Sequence, residues 1–145
     1  PYFIPDESIQ TALLMATMAG VEVNLMFPCK PDHPFVYWAT LSYVGELIMA
    51  GANCYTYDNG FLHAKGLSID GRACCYGTAN MDIRSFALNF EVNAMIFDQN
   101  IAGEMERIFR EDLKCCTRIT KEMYKSRSVW IRFKEQISRL LSPVL

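Results

Sequence analysis

Phe61-Leu62-His63-Ala64-Lys65-Gly66-Leu67-Ser68-Ile69-Asp70 places one of the two histidines of this chain two residues before a lysine. Shortly afterwards, Gly77-Thr78-Ala79-Asn80 adds a hydroxyl and an amide side chain. An imidazole can attack phosphorus or transfer a proton, and a lysine with small polar donors can bind phosphate oxygens. The two segments together therefore indicate a site that binds and attacks a phosphodiester.

Strand and turn signals surround these segments. Alternating and apolar runs predict three strands at about 62–69, 72–77 and 88–97. The dipeptide Asp70-Gly71 between the first two is typical of a two-residue hairpin with a type I′ turn. By geometry alone Asp70 is a turn former that organises the hairpin.

Strand periodicity assigns faces to the candidate site residues. Alternate residues of a strand share a face, so His63 and Lys65 are expected to point the same way. On the third strand, Asn89, Glu91 and Asn93 would share a face. From there Glu91 could accept a hydrogen bond from the imidazole and fix its tautomer. The ordinary alternatives are a structural histidine beside a surface lysine, and an edge strand with a solvated face.

The remaining elements alternate between helices and strands. The sequence predicts a helix from a cap at Asp6 or Ser8 to Gly20, a strand at 21–27, a proline-rich loop at 28–34, a helix at 35–50, a strand at 53–57 and a helical tail over about 101–145. Helix–strand alternation followed by a hairpin predicts an α/β domain, with a mixed sheet flanked by helices. With 145 residues, of which 51% are hydrophobic, the chain has the size of a single domain.

Charge is distributed unevenly along the chain. Residues 1–100 carry 4 Lys/Arg and 10 Asp/Glu, whereas residues 101–145 carry 10 and 6. An acidic body argues against a surface that wraps nucleic acid, so no nucleic-acid partner is expected. The basic tail is expected either to meet anionic lipid headgroups or to be a solvated helix face. No apolar run reaches the roughly 18 residues of a membrane span, and a soluble or peripheral fragment is expected.

The six cysteines show no pattern typical of a metal site. No C-x-x-C pair occurs, and no histidine lies near them at zinc-finger spacing. Buried thiols in a reducing compartment are expected, although the even count leaves disulfides possible. We expect no metal and no cofactor.

The spacing of His63, Lys65 and Asp70, H-x-K-x4-D, followed by G-T-A-N resembles the HKD motif of the phospholipase D superfamily. Segments along essentially the whole chain resemble the C-terminal half of bacterial cardiolipin synthases. These segments are Pro1-Tyr2-Phe3-Ile4-Pro5-Asp6, Lys30-Pro31-Asp32-His33-Pro34-Phe35, Gly77-Thr78-Ala79-Asn80-Met81-Asp82-Ile83-Arg84-Ser85-Phe86, Asn89-Phe90-Glu91-Val92-Asn93 and Arg139-Leu140-Leu141-Ser142-Pro143.

The resemblance implies one half of a two-motif active site in a phospholipase D-like fold. Two histidines would face one phosphodiester, one forming a phosphohistidine while the other protonates the leaving alkoxide. The substrate would be phosphatidylglycerol and the products cardiolipin and glycerol. By residue match the catalytic set is His63, Lys65, Asp70 and Glu91, and the substrate-binding set is Thr78, Asn80 and Asn93.

Only one HKD copy is present, since His33 is followed by Pro34-Phe35 rather than by x-Lys. His33 is therefore expected to be a loop or structural residue. The other HKD half and any membrane anchor are expected upstream of Pro1, with the full-length protein at the cell membrane and its catalytic domain on the cytoplasmic side. The alternatives are a single-motif phosphodiesterase or nuclease that dimerises, and an inert or membrane-binding fragment.

Near the C-terminus an apolar stripe is interleaved with basic residues. Such a stripe is typical either of an interfacial helix or of a helix packed against the body or the missing half. The apolar members are Trp130, Phe133, Ile137, Leu140 and Leu141, and the basic members are Arg127, Arg132, Lys134 and Arg139.

Overall fold

Three small sheets and six helices form the described part of the chain. The computed structural model describes residues 1–30 and 33–141, so the middle of the proline-rich loop and the last residues of the expected tail lie outside it. The elements in chain order are β1 (Phe3–Ile4), α1 (Glu7–Met18), β2 (Asn24–Pro28), α2 (Pro34–Ala50), β3 (Asn53–Tyr57), β4 (Gly66–Ile69), β5 (Ala73–Gly77), β6 (Met81–Asp82), α3 (Ile83–Ala87), β7 (Asn93–Ile96), α4 (Gln99–Asp112), β8 (Cys116–Ile119), α5 (Lys121–Lys125) and α6 (Val129–Leu140). The predicted α/β class is confirmed.

Helix ends follow the capping residues. The Asp6 carboxylate accepts a hydrogen bond from the amide of Ile9 at 2.8 Å and so caps α1, as predicted. Helix α2 begins at Pro34, whose missing amide proton is not needed in the first turn, and ends before Gly51. Strand β2 begins at Asn24, three residues later than expected.

Helix α2 is the centre of the core. Its Val44 and Leu47 side chains are fully buried and lie in one cluster with Phe3, Phe27 and Cys54 from the neighbouring strands. Helices α1 and α6 and strands β1 and β3 all pack against α2. Burial of this largely apolar helix is the main favourable contribution to the fold.

The sheets combine parallel and antiparallel pairs. Strand β2 pairs parallel with β3, β3 pairs antiparallel with β8, and β1 pairs parallel with β6. The third sheet, β4-β5-β7, is antiparallel throughout. The tail is not helical throughout, because a 3₁₀ turn at Leu113–Cys115 and strand β8 separate α4 from α5. Residues 116–119 include two β-branched side chains and pair with the edge of β3 that β2 leaves open.

The β4–β5 hairpin has the predicted turn residues. Asp70 and Gly71 have φ of 53° and 61°, the left-handed values that a type I′ turn requires at both positions. The amide of Arg72 donates to the carbonyl of Ile69 at 2.9 Å and closes the turn. Because Ile69 pairs with Ala73, three residues rather than two lie between the paired positions.

Two further features concern the membrane and the thiols. None of the helices among the described residues combines the length and the apolar character of a membrane span.

All six cysteines are free thiols, and Cys54 and Cys74 are buried. Burial raises the pKa of the Cys54 thiol to about 12.

Candidate active site

The sheet β4-β5-β7 brings three segments of the chain to one of its ends. Gly77, the last residue of β5, pairs with Asn93, the first residue of β7. The amide of Gly77 also donates to the carbonyl oxygen of Lys65 at 3.3 Å, just before β4 begins. Segment 61–65 leads into β4 and segment 88–92 leads into β7. Both therefore lie beside the segment that follows Gly77 at the end of the central strand β5.

At this end Lys65 lies directly against His63. The Lys65 Nζ is 3.2 Å from both ring nitrogens of His63 and donates to the His63 carbonyl oxygen at 3.1 Å. Equal distances to the two nitrogens mean that the ammonium selects neither tautomer. The Phe61 ring stacks on the imidazole, with centroids 5.6 Å apart and planes at 27°.

His63 and Lys65 are in contact, as predicted, but not because they share one face of a strand. Residues 61–65 and 89–92 have no regular structure, and β4 and β7 begin only at Gly66 and Asn93. The Lys65 side chain instead folds back onto the His63 carbonyl. The strand boundaries at 62 and 88 were therefore wrong, although the contact between histidine and lysine that they suggested is present.

Gly77 allows β7 to approach β5 closely. A Cβ atom at Gly77 would lie 2.2 Å from the carbonyl oxygen of Val92, so a larger residue would push the segments apart. Next to it, the Thr78 Oγ1 accepts from the amide of Val92 at 2.9 Å, and the Thr78 amide donates to the Val92 carbonyl at 3.0 Å. The amide of Ala79 donates to Asn93 Oδ1 at 3.4 Å. Residues 77–79 are thus held against 92–93.

Glu91 is at the centre of a polar cluster. The hydroxyl of Thr78 donates to its carboxylate and is the main reason that the pKa of Glu91 lies below its ordinary value. The Asn89 amide, 3.2 Å from Glu91 Oε1, the Ser85 hydroxyl and the charge of Lys65 lower this pKa further. A carboxylate held in this way stays ionised and acts on its neighbours as a fixed negative charge.

Burial and two nearby carboxylates act in opposite directions on the pKa of Lys65. Burial lowers the pKa of Lys65, while the carboxylates of Glu91 and Asp82 oppose this by raising it. A phosphate oxygen arriving at the ammonium would replace lost hydration and favour the charged form.

Two residues that the motif analysis did not single out, Asp82 and Ser85, fix Asn80 and Glu91. Asp82 caps α3 by accepting from the amide of Ser85 at 2.7 Å. The buried Ser85 hydroxyl accepts from the amide of Asn80 at 3.1 Å and also bonds to Glu91. The D-x-x-S spacing at a helix start was the available signal. The Asn80 side-chain oxygen is buried without a hydrogen-bond partner among the described residues.

Asp70 and His33 lie apart from this cluster. Asp70 is in the hairpin turn, and the four residues of β4 separate it from Lys65, a span of roughly 16 Å. Within residues 1–30 and 33–141, neither Asp70 nor Glu91 hydrogen-bonds to His63. His33 immediately precedes α2 and lines a small surface pocket with Phe27.

The arrangement brings the His63 imidazole, the Lys65 ammonium and the Glu91 carboxylate to one end of the sheet, where the segment carrying Thr78 and Asn80 leaves it. Such a set can bind the nonbridging oxygens of a phosphate while the imidazole addresses phosphorus or a leaving oxygen. Because His63 and Lys65 are on the surface of the domain, the other side of a bound phosphodiester faces away from this chain.

Comparisons with known proteins agree with this geometry. The family model described as "Cardiolipin synthase, PLD-like domain" matches residues 1–113. The cardiolipin synthase of Oceanobacillus iheyensis and the major cardiolipin synthase ClsA of Bacillus subtilis are each 57% identical over all 145 residues. The chain spans about 30% of the length of these relatives.

Solved structures show the same fold at low sequence identity. A phospholipase D family member, Nuc from Salmonella typhimurium, superposes with a TM-score of 0.70 at 18% identity, over 82% of this chain and 78% of that one. The phosphatidylserine synthase of Haemophilus influenzae superposes with a TM-score of 0.71 at 16% identity, over 99% of this chain and 38% of that one. The phospholipase D-like fold is thereby established.

Proposed function

This chain belongs to the PLD-like domain family of cardiolipin synthases, and from that premise we propose that it supplies one of the two HKD half-sites of a phosphatidyltransferase in phospholipid biosynthesis. The enzyme would convert two phosphatidylglycerol molecules into cardiolipin and glycerol. The observation that carries the proposal is the contact of the Lys65 ammonium with the His63 imidazole, at the end of the sheet that also carries Thr78 and Glu91. The length of the relatives, about three times that of this chain, supports a second half on the same polypeptide.

The proposed reaction proceeds in two displacements. A histidine nitrogen attacks the phosphorus of the first phosphatidylglycerol, a P–N bond forms, and the P–O bond to glycerol breaks. The histidine of the other half protonates the departing glycerol alkoxide. That histidine then takes the proton from a hydroxyl of the second phosphatidylglycerol, whose oxygen attacks phosphorus. A P–O bond forms, the P–N bond breaks, and cardiolipin and the free nucleophilic histidine are released. Because one primary alcohol replaces another, the overall exchange is close to thermoneutral, and the covalent intermediate divides the barrier between two steps.

Lys65 and the amide of Asn80 would bind the nonbridging oxygens. Negative charge accumulates on these oxygens as the fifth bond to phosphorus forms, so fixed donors stabilise the transition state more than the ground state. The Ser85 hydroxyl holds the backbone amide of Asn80 and so fixes the position of this residue, which supports the role. Thr78 and Asn93 would shape the same edge, since both connect residues 77–79 to β7.

Glu91 and Asp70 would contribute indirectly. Glu91 is ionised and close to Lys65, so it would balance the lysine charge before substrate arrives and orient the imidazole once the second half closes the site. Asp70 would act through the hairpin turn, where its left-handed backbone sets the register of β4. No metal or cofactor is needed for this chemistry.

The partners follow from the chemistry of the substrate. Phosphatidylglycerol is presented at a membrane surface, so the full-length enzyme would work at the cell membrane, with the catalytic domain on the cytoplasmic side. The N-terminal HKD half would cover the exposed edge that carries His63. The acidic body of residues 1–100 supports a lipid rather than a nucleic-acid substrate.

A headgroup-release assay tests the reaction class. Purified full-length enzyme is given phosphatidylglycerol with labelled headgroup glycerol, and lipid products are separated by chromatography. The proposal predicts one free glycerol for each cardiolipin, with no accumulation of phosphatidic acid. Phosphatidic acid in place of cardiolipin would identify a hydrolase and contradict the proposal, and cleavage of DNA by the same preparation would favour the single-motif nuclease.

A further inference from the structure

Helix α6 turns its polar side toward the domain and its apolar side away from it. The buried side chains of the helix are Glu135 and Ser138, each 1% exposed. By contrast, Trp130 is 74% and Leu140 81% exposed. A helix that packs on a protein core has the opposite orientation, with its apolar stripe inward. The other exposed apolar residues at this helix are Val129, Phe133, Ile137 and Leu141.

Polar contacts hold α6 in this orientation. Glu135 Oε2 is 3.2 Å from Arg127 Nη2, and the Arg127 guanidinium lies 3.1 Å from the centre of the Tyr124 ring. Next to the C-terminal end of the helix, Arg139 forms an ion pair with Glu46 of α2. Rotating α6 to bury its apolar stripe would break both ion pairs and leave the Arg127 guanidinium without its partner in a largely buried position. The exposure of the stripe is therefore a stable property of this packing.

The stripe has cations at both borders. At 100° per residue, Phe133 and Ile137 lie near its middle, while Arg132 and Lys134 lie on its two sides, and both are exposed. The Trp130 ring contacts the Phe133 ring edge-on, with centroids 6.3 Å apart, so the aromatic residues form one continuous apolar surface. Trp and Phe flanked by Lys and Arg are the composition of helices that lie at the boundary between lipid headgroups and acyl chains.

We propose that the outward face of α6 docks this domain on an anionic lipid surface. The inference rests on the proposed function, in which the substrate is an anionic phospholipid. Charge complementarity selects lipid as the occupant, because residues 101–145 carry 10 basic and 6 acidic residues whereas the rest of the chain is acidic. The apolar stripe would enter the headgroup region, and Arg132 and Lys134 would contact lipid phosphates on its two sides.

Vesicle flotation of the 145-residue chain tests the proposal. The chain is mixed with phosphatidylcholine vesicles with or without phosphatidylglycerol, and the protein recovered with the floating vesicles is measured. We expect binding to the anionic vesicles that falls as salt is added. Trp130→Gln/Phe133→Gln is expected to lower binding about tenfold or more, because it removes most of the apolar surface. Arg132→Gln/Lys134→Gln is expected to abolish the preference for phosphatidylglycerol.

Helix α1 provides a matched control. Met15 and Met18 are 65% and 77% exposed on a helix without Lys or Arg, so Met15→Gln/Met18→Gln removes similar apolar exposure without nearby cations. This control is expected to bind like the parent. Far-UV circular dichroism checks that each variant keeps the parent helix content, which surface substitutions should not change.

Several results would overturn the proposal. These are equal binding by the parent and the Trp130/Phe133 variant, no binding by the parent, equal loss in the Met15/Met18 control, or conversion of a dimer to a monomer by the Trp130/Phe133 variant. The last result would identify a second copy as the occupant. Two measurements separate a failure of lipid docking by α6 from a failure of the proposed reaction. The His63→Ala chain should still float with anionic vesicles, and the full-length Trp130→Gln/Phe133→Gln enzyme should still form cardiolipin in detergent micelles.

Discussion

The buried ion pair under α6 gives a prediction whose size follows from the structure. The Glu135 side chain is 2% exposed and the Arg127 side chain 16%, with 3.2 Å between Oε2 and Nη2. Glu135 Oε1 and the Nε and Nη1 atoms of Arg127 are buried without hydrogen-bond partners in the described residues. The pair is therefore incompletely satisfied, and removing either partner leaves the other charge in a poor environment.

The two single variants are expected to differ. Removing one partner of a buried pair costs about 3–5 kcal/mol of the free energy of unfolding. Glu135→Leu should reach about 4 kcal/mol, because the remaining guanidinium cannot lose its proton. Arg127→Met should cost only about 2 kcal/mol, because the remaining carboxyl can become neutral at about 1.4 kcal/mol per pKa unit. The double variant should lie within about 1 kcal/mol of the parent, since the pair is replaced by apolar groups of similar size.

The pH dependence provides an independent check. Burial raises the pKa of Glu135, and the guanidinium groups of Arg127 and Arg132 oppose this. Without Arg127 the folded-state pKa rises further above the unfolded-state value. The folded state then binds more protons than the unfolded state between these two values. The stability of Arg127→Met should therefore increase as the pH falls through the folded-state pKa.

Urea unfolding measures these effects, followed by circular dichroism and by the fluorescence of Trp38, which lies 5.4 Å below the Lys134 ammonium of α6. Glu135→Leu, which keeps no carboxyl at this position, is the matched control for the pH dependence. Equal losses in the two single variants at every pH would refute the reasoning. So would a double variant no more stable than the worse single variant.

Three further predictions concern the sheet edge that carries the site. Gly77→Ala should lower the free energy of unfolding by about 1–3 kcal/mol in urea titrations, because its Cβ would clash with the Val92 carbonyl oxygen. Gly103→Ala in α4 is the control; it has open space around it and should leave the free energy of unfolding unchanged or raise it. Thr78→Val should lower the free energy of unfolding by about 1 kcal/mol, because it removes the acceptor for the Val92 amide, and Thr78→Ser should keep the parent stability. Equal melting temperatures of the Val and Ser variants would contradict the role of the hydroxyl. Lys65→Gln should lower kcat/KM of the full-length enzyme for phosphatidylglycerol by about 10²–10³-fold while leaving the melting temperature unchanged; parent activity would exclude Lys65 from phosphate binding.

Local chemistry made part of the fold predictable. The start of α1 follows from the Asp6 carboxylate, the end of α2 from Gly51, and the hairpin from Asp70 and Gly71. In each case one residue supplies a cap or a left-handed backbone, and its effect does not depend on distant parts of the chain.

Strand lengths near the site were not predictable, because periodicity cannot distinguish a paired strand from an extended loop. Residues 62–65 and 88–92 have strand-like sequence, but side chains bond to the His63 carbonyl and the Val92 amide, and the backbone bonds from Gly77 and Thr78 do not continue as a regular ladder. Strand β8 was missed because a short, half-exposed segment forms a strand only where a sheet edge is open to it.

In the site, too, contacts between residues close in sequence were predictable, whereas contacts that depend on packing were not. Sequence brought His63 and Lys65 together correctly, since residues two apart meet in most extended conformations. Ser85 and Asp82 were missed because their effect depends on how α3 packs behind Asn80 and Glu91. The orientation of α6 was also open, because an amphipathic stripe does not reveal which side a pair of buried charges will hold inward.

The most direct test of the central claim is the rate of cardiolipin formation by full-length enzyme carrying His63→Ala, compared with the same enzyme carrying His33→Ala. His33 is the matched control, since it is the second histidine of the chain and lies outside the cluster around Lys65. If His63 is one of the two reacting histidines, its variant forms no measurable cardiolipin while the His33 variant retains activity close to that of the parent. Cardiolipin formation at the parent rate by the His63 variant would contradict the account.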